Sequence, residues 1–192
     1  MKRITLASLS LALPLALSAQ APAAAKDPIT AVFRTRTMTL QRNLAQAFDS
    51  IPESKFGYRP TPVQQTVGYI AQHLVSDNYV FCNNFGEKKG AVAPEDATTP
   101  DSIKAKWPRA TLLTKVKASF AFCEDAFSQL DDAKLADQVT MTMGANTRTS
   151  TRAAMVLGHV IDMADHYSQI ANYMRLNNII PPTALPRPAA RP

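Results

Sequence analysis

The strongest constraint on the fold is one long helical pattern that ends at a double proline. The pattern predicts a helix that begins at Ser150 or Thr151 and ends near Asn178, because Pro181-Pro182 cannot continue it. Side chains three, four and seven residues apart share one face of a helix. On this helix one face carries His159, Asp162, Met163, His166, Ile170 and Tyr173. A helix with a single such face has to bury it against other elements.

Three further stretches carry the same periodicity and predict three more helices. The first runs from Pro28 to about Ser50, and the third runs from about Arg109 to Leu130. The second ends near Phe85 and begins at one of two capping signals, Thr61-Pro62 or Thr66. Its main stripe consists of Val67, Ile70, His73, Leu74, Asp77, Val80 and Phe81.

The connections between these helices show no sustained strand pattern. Residues 86–108 are polar and rich in Lys, Asp, Thr and Pro, which is typical of a long surface loop, and a short turn is predicted from Ser102. Val139 to Met143 alternates and predicts only a short extended piece. We therefore predict an all-α fold, a four-helix bundle with long crossover loops.

The two ends of the chain differ in composition from the predicted bundle. A basic start, Met1-Lys2-Arg3, precedes an apolar run from Ile4 to Ala19, and small residues follow it. This pattern predicts a cleaved signal peptide over 1–25 and export to the periplasm or the extracellular space. An uncleaved anchor or an Ala-rich tail is the alternative. The bundle is then expected over 26–182, with a disordered Pro/Ala/Arg tail over 183–192.

The net charge of the chain is +6, and it falls to +4 without Lys2 and Arg3. This excess is mild and dispersed. Basic residues cluster between Lys104 and Lys117, but Trp107 is the one aromatic residue beside them, so a solvated face is favoured over a nucleic-acid surface. The apolar run is shorter than the ~20 residues of a membrane span. The expected partner is a small-molecule substrate, and a homodimer is compatible with the sequence.

The chain has two cysteines, Cys82 and Cys123, each within a predicted helix. An export signal implies an oxidising compartment, where such a pair usually forms a disulfide. The bond would tie two helices and contribute ~2–4 kcal/mol. Two free buried thiols are the alternative.

A polar cluster inside the bundle is the candidate for chemistry. Asp162 and His166 are four residues apart, ~6 Å along a helix axis, so both can reach one ion. His73 would complete the set from the facing helix. Two imidazole nitrogens and one carboxylate oxygen suit Zn²⁺, Fe²⁺ or Ni²⁺. The alternative is a buried hydrogen-bonded network without a metal, in which Asp162 accepts a hydrogen bond from a histidine.

Three segments add a family resemblance. They are Thr66-Val-Gly-Tyr-Ile-Ala-Gln-His73, then Asp162-Met-Ala-Asp-His-Tyr-Ser-Gln169, and Asn172-Tyr-Met-Arg-Leu-Asn-Asn-Ile-Ile-Pro-Pro182. In this order they resemble the DinB-like superfamily over essentially the whole predicted bundle. The resemblance implies a four-helix bundle with a metal site made from one histidine on the second helix and a pair four residues apart on the last.

By position, the resemblance implies that His73 and His166 are metal ligands. Asp162 lies where most members carry histidine, although a carboxylate occurs there in thiol-dependent relatives. This departure affects how tightly the site would bind a metal and which metal it would prefer. His159 would lie beside the ion or at its entrance, unless it is a core histidine. Gln169 is expected to orient the His166 imidazole through a hydrogen bond.

Two functions are compatible with these features. One is an exported metal-dependent enzyme, either a hydrolase or a thiol-dependent transferase that acts on a small molecule. The alternative is a non-catalytic exported bundle that binds a small ligand or a partner protein.

Overall fold

The fold is described from a computed structural model, which covers residues 26–143 and 146–186. The predicted signal peptide over 1–25 lies outside the described residues, and so does most of the predicted tail. The four long helices are α1 (Pro28–Ser50), α2 (Val67–Phe85), α5 (Arg109–Ser128) and α6 (Arg152–Leu176). Shorter elements are α3 (Pro94–Thr98), α4 (Asp101–Lys104), β1 (Gln138–Met143) and β2 (Asn146–Thr151).

Capping residues determine where the two site-bearing helices begin. The Thr66 side chain accepts a hydrogen bond from the Tyr69 N–H and caps α2, so the start at Thr61-Pro62 is wrong. Thr151 caps α6 in the same way through the Ala154 N–H. After α6, Asn178 adopts φ 57°, the left-handed conformation expected at a helix end.

The four long helices pack as a bundle with two buried layers. One layer contains Leu44, Phe48, Ile70, Leu74, Leu112, Met163 and Ile170. The other contains Cys82, Phe85, Cys123, Phe127, Met155 and Val156. Helix α2 contacts both α5 and α6, and α1 closes the opposite side against the same two helices. The predicted four-helix bundle is confirmed.

The connections are more ordered than the sequence predicts. The predicted surface loop contains α3 and α4, and the extended piece is the first strand of an antiparallel hairpin in which Gln138 is opposite Thr151. The sequence did not predict β2, because Asn146–Thr151 is polar on both faces and shows no alternation of apolar residues. No helix in the described parts of the chain is long and apolar enough to cross a membrane.

Candidate metal centre

Two packed helices bring four ionisable side chains together. His73 and Asp77 lie one turn apart on α2, and Asp162 and His166 lie one turn apart on α6. Buried residues on both helices, such as Leu74 and Met163, belong to the same hydrophobic layer. The polar groups therefore face one another at the edge of a dry core.

The closest group consists of His73, Asp77 and His166. Asp77 Oδ2 lies 3.0 Å from His73 Nε2 and 3.9 Å from His166 Nε2. One ligand atom from each residue lies within 4.8 Å of the other two, a spacing that one metal ion can bridge. The side chains are 32%, 17% and 7% exposed in that order, so solvent reaches the group from the His73 side.

Asp162 lies beside this group. Its Oδ1 is 3.4 Å from His166 Nε2, while its Oδ2 is buried without a hydrogen-bond partner among the described residues. The structure thus places His73, His166 and Asp162 in one neighbourhood and adds Asp77, which the sequence analysis did not select. The signal for Asp77 was its spacing, since it follows His73 by four residues just as His166 follows Asp162.

The charges of the group are strongly coupled. Burial, and then the nearby Asp162 carboxylate, raise the pKa of Asp77 to about 7. Burial and the neighbouring His166 lower the pKa of His73. Burial opposes protonation of His166, but Asp162 and Asp77 outweigh it, and its pKa is raised. The carboxylates of Asp77 and Asp162 therefore lie close together in a partly buried site, where a positive charge would stabilise both.

The donor set fits a divalent cation. Two imidazoles and one or two carboxylates are ligands that Zn²⁺, Fe²⁺ and Ni²⁺ accept. A cation among them would offset the burial and the repulsion from Asp162 that together raise the pKa of Asp77. It would also give the buried Asp162 Oδ2 a partner.

His159 is not at this centre. It is buried in the other layer, where its Nε2 lies 2.9 Å from Asn78 Oδ1. Its ring lies among Phe81, Phe85 and Phe127, with ring centroids 5.7–6.0 Å away. The spacing predicted that His159 and Asp162 share a helix face, but the seven residues from His159 to His166 carry His159 ~10.5 Å further along the axis. Its role as a core histidine, the alternative reading, agrees with this position.

Gln169 does not orient His166. Its Nε2 donates a hydrogen bond to Asp165 Oδ2 at 2.9 Å on the exposed side of α6. His166 Nδ1 is buried and has no hydrogen-bond partner in the described structure. A residue three positions after His166 lies on the same broad face of a helix, but here its amide is turned toward solvent.

A cavity opens next to the centre. It has a volume of about 740 Å³, and its wall includes the aromatic side chains of Phe56, Tyr69 and Trp107. The ring of Tyr69 packs against that of His73, with centroids 5.9 Å apart. A small molecule in this cavity would be separated from His73 by one aromatic ring.

A family model described as the DinB superfamily matches residues 36–170 of this chain. The chain belongs to the DinB superfamily. The matched segment contains all of α2 and α5 and most of α1 and α6, and it includes His73, Asp77, Asp162 and His166. No curated protein matched the sequence.

Solved structures of DinB-like proteins share the fold. One from Bacillus cereus is 18% identical with a TM-score of 0.60, and the match covers 78% of this chain and 93% of that one. One from Bacillus subtilis is 15% identical with a TM-score of 0.56, covering 77% and 92%. A mycothiol-dependent maleylpyruvate isomerase is 16% identical with a TM-score of 0.57, covering 73% of this chain and 60% of that chain. At such identities these matches show the fold alone.

Proposed function

We propose that this protein is a metal-dependent enzyme that acts on a small molecule. The observation that carries the proposal is the convergence of His73 Nε2, Asp77 Oδ2 and His166 Nε2 from two packed helices. These three residues hold one divalent ion. Asp162 is the fourth donor, because its Oδ1 already lies 3.4 Å from His166 Nε2.

A bound divalent ion would supply Lewis acidity to a substrate oxygen or would activate a thiol. The chain supplies the geometry and the shielding. His166 lies on the buried face of α6 with Asp162 one turn before it, and the ring of His73 packs against the ring of Tyr69. The neighbouring cavity gives a small molecule a place on the far side of the Tyr69 ring from His73.

Two reaction classes fit this arrangement, hydrolysis and thiol-dependent transfer. The thiol-dependent class is supported by one structural neighbour whose description is a mycothiol-dependent maleylpyruvate isomerase. This chain spans 60% of the length of that protein, so its substrate is not transferred to this chain. The two classes are separated by measuring the activity of the metal-loaded protein with and without a low-molecular-weight thiol. Hydrolysis does not depend on the thiol, whereas thiol-dependent transfer does.

We also propose that the protein is exported. The support is the basic start and apolar run at the amino terminus, together with the bonded pair Cys82 and Cys123. Mass spectrometry of the protein from the extracellular or periplasmic fraction is expected to find a chain that starts near residue 26. Recovery of only the full-length chain from the cytoplasm would contradict export.

The metal proposal is tested by titration of the metal-free protein, with the Cys82–Cys123 disulfide intact, with Zn²⁺ in a calorimeter. We expect one site, with affinity lowered at least tenfold by Asp77→Asn and by His73→Ala, since each removes a ligand. Asp165→Asn is the matched control, because Asp165 is on the same helix as Asp162 but bonds Gln169 in solvent.

Each outcome of this titration is informative. Stoichiometric binding that is weakened by Asp77→Asn but not by Asp165→Asn supports the proposed site. Absence of binding, or equal effects of the two variants, would contradict it and leave the non-catalytic bundle that binds a ligand or partner as the remaining function.

A further inference from the structure

A second group of metal-ligating atoms lies in the other buried layer, away from the proposed metal centre. It joins Cys82 on α2, Cys123 on α5 and His159 on α6, and all three residues are fully buried. In the structure the two cysteines form a disulfide, with their Cα atoms 5.3 Å apart. His159 Nε2 lies 3.9 Å from Cys82 Sγ and 3.8 Å from Cys123 Sγ.

We propose that reduction of this disulfide creates a buried site for one thiophilic divalent ion, held by Cys82, Cys123 and His159. The ion would replace the disulfide as the cross-link between α2, α5 and α6. The chain could then be held together in the same place in oxidising and in reducing surroundings.

The spacing of the donor atoms supports this site. With metal–sulfur bonds of ~2.3 Å and metal–nitrogen bonds of ~2.0–2.1 Å, a tetrahedral zinc ion holds sulfur and nitrogen ~3.5 Å apart. The observed separations of 3.8 and 3.9 Å are close to this value, so His159 needs little movement. The two sulfurs, once released from their bond, have to move apart by roughly 2 Å to reach the spacing of such a site.

A fourth donor is already in position. Asn78 Oδ1 lies 2.9 Å from His159 Nε2, and Asn78 is one helical turn before Cys82. The Asn78 amide nitrogen donates a hydrogen bond to Ser119 Oγ at 2.9 Å, which turns the amide oxygen toward His159. Two thiolates, one imidazole and one amide oxygen complete a tetrahedral set.

The charge balance suits a dry core. Two thiolates neutralise one divalent ion, and a neutral His159 and Asn78 add no charge, so the whole group is neutral. Phe85 and Phe127 beside His159 offer no competing ligand and exclude water. A neutral complex avoids the large cost of a buried net charge.

A dithiol reductant transfers two electrons and two protons to the S–S bond, which breaks, and the reductant becomes a disulfide. Each cysteine then carries one proton. Binding of the divalent ion releases both protons as two metal–sulfur bonds form.

The test uses full-length protein and Cd²⁺ as the probe. The protein is prepared oxidised, or refolded under a phosphine reductant without oxygen, and each form is titrated with Cd²⁺. Ultraviolet absorption from thiolate-to-cadmium charge transfer reports sulfur ligation and does not detect the His73 centre, which contains no sulfur. The chain has no cysteines other than Cys82 and Cys123.

In the reduced protein we expect the absorption to reach the intensity of one thiolate-bound Cd²⁺ per chain, after subtraction of the Cd²⁺ that the His73 centre binds, and in the oxidised protein we expect no such absorption. His159→Gln is expected to lower the Cd²⁺ affinity at least tenfold, whereas His73→Ala leaves it unchanged. Far-UV circular dichroism accompanies each titration. A reduced chain that unfolds and regains its helices with one equivalent of Cd²⁺ also supports the site.

Three results would overturn the proposal. The first is a folded, reduced protein without the absorption band. The second is a band whose affinity His159→Gln does not change, which would mean that the thiols bind cadmium without the imidazole. The third is a reduced, unfolded chain that Cd²⁺ does not refold.

Discussion

Asp77 is the residue that most changes the chemistry of the proposed centre. It lies closer to His73 than any other carboxylate described, and its pKa of about 7 reflects burial and the nearby Asp162. The sequence placed Asp77 on the same stripe of α2 as His73, four residues later, but this spacing alone did not decide between Asp77 and Asp162 as the carboxylate ligand. The choice depends on how two helices are rotated against each other, and periodicity fixes a face only to within a turn.

His159 shows how burial of one titratable side chain makes the stability of the fold depend on pH. Burial lowers its pKa to about 4, with Asp162 acting weakly in the other direction. Between about pH 6.5 and 4 the unfolded chain therefore binds a proton that the folded chain does not, and stability falls as the pH falls through this window. Across the whole window the loss of stability is on the order of 3 kcal/mol.

We predict that His159→Gln removes this part of the pH dependence. The measurement is urea unfolding of both oxidised proteins at pH 7.5 and pH 4.5. The free energy of unfolding of the wild type is expected to fall more between these values, by about 2 kcal/mol, than that of the variant. Equal falls in the two proteins would show that His159 does not titrate in the unfolding transition.

At the scale of elements, the start of α2 packs closely against the backbone of two neighbouring segments, at Phe56 and at Ala105. The Gly68 N–H donates a hydrogen bond to the Phe56 carbonyl at 2.8 Å. A Cβ placed on Gly68 would lie 2.2 Å from the backbone oxygen of Ala105, just after α4. Glycine is required here by space, because the atom in the way is backbone and cannot turn aside.

We therefore predict that Gly68→Ala destabilises the protein by about 1–3 kcal/mol, the usual cost of overpacking. Gly57→Ala is the control, since a Cβ there meets nothing within 4 Å. Thermal unfolding of both variants checks this. A Gly68→Ala protein as stable as the Gly57→Ala protein would contradict the close approach.

The disulfide is the second feature that holds helices together. It joins α2 to α5 across 41 residues, and closing a loop of that length stabilises the folded state by about 4 kcal/mol on the chain-entropy estimate. We predict a loss of about 2–4 kcal/mol on reduction in the presence of a chelator, measured by urea unfolding. An unchanged midpoint would mean that the reduced chain retains the same restraint by other contacts.

At the scale of the whole molecule, the sequence predicted the fold well and the site in part. Four long stripes with a 3.6-residue period leave few alternatives to a helical bundle. The bond between Cys82 and Cys123 was expected from the oxidising compartment that an export signal implies, with two free thiols as the alternative. The second strand of the hairpin was not predicted, because Asn146–Thr151 is short and polar on both faces. For His159 the sequence left two positions open, beside the ion or in the core, and the structure shows the core position, because a seven-residue offset from His166 carries it into the other layer.

The central claim is that His73, Asp77 and His166 hold one divalent ion. The most direct measurement is a crystal structure of the Zn²⁺-loaded protein with anomalous scattering recorded at the zinc edge. The account predicts one strong anomalous peak ~2.0–2.2 Å from His73 Nε2, His166 Nε2 and a carboxylate oxygen of Asp77. A map without a peak between α2 and α6, or with zinc bound only by surface residues, would contradict it.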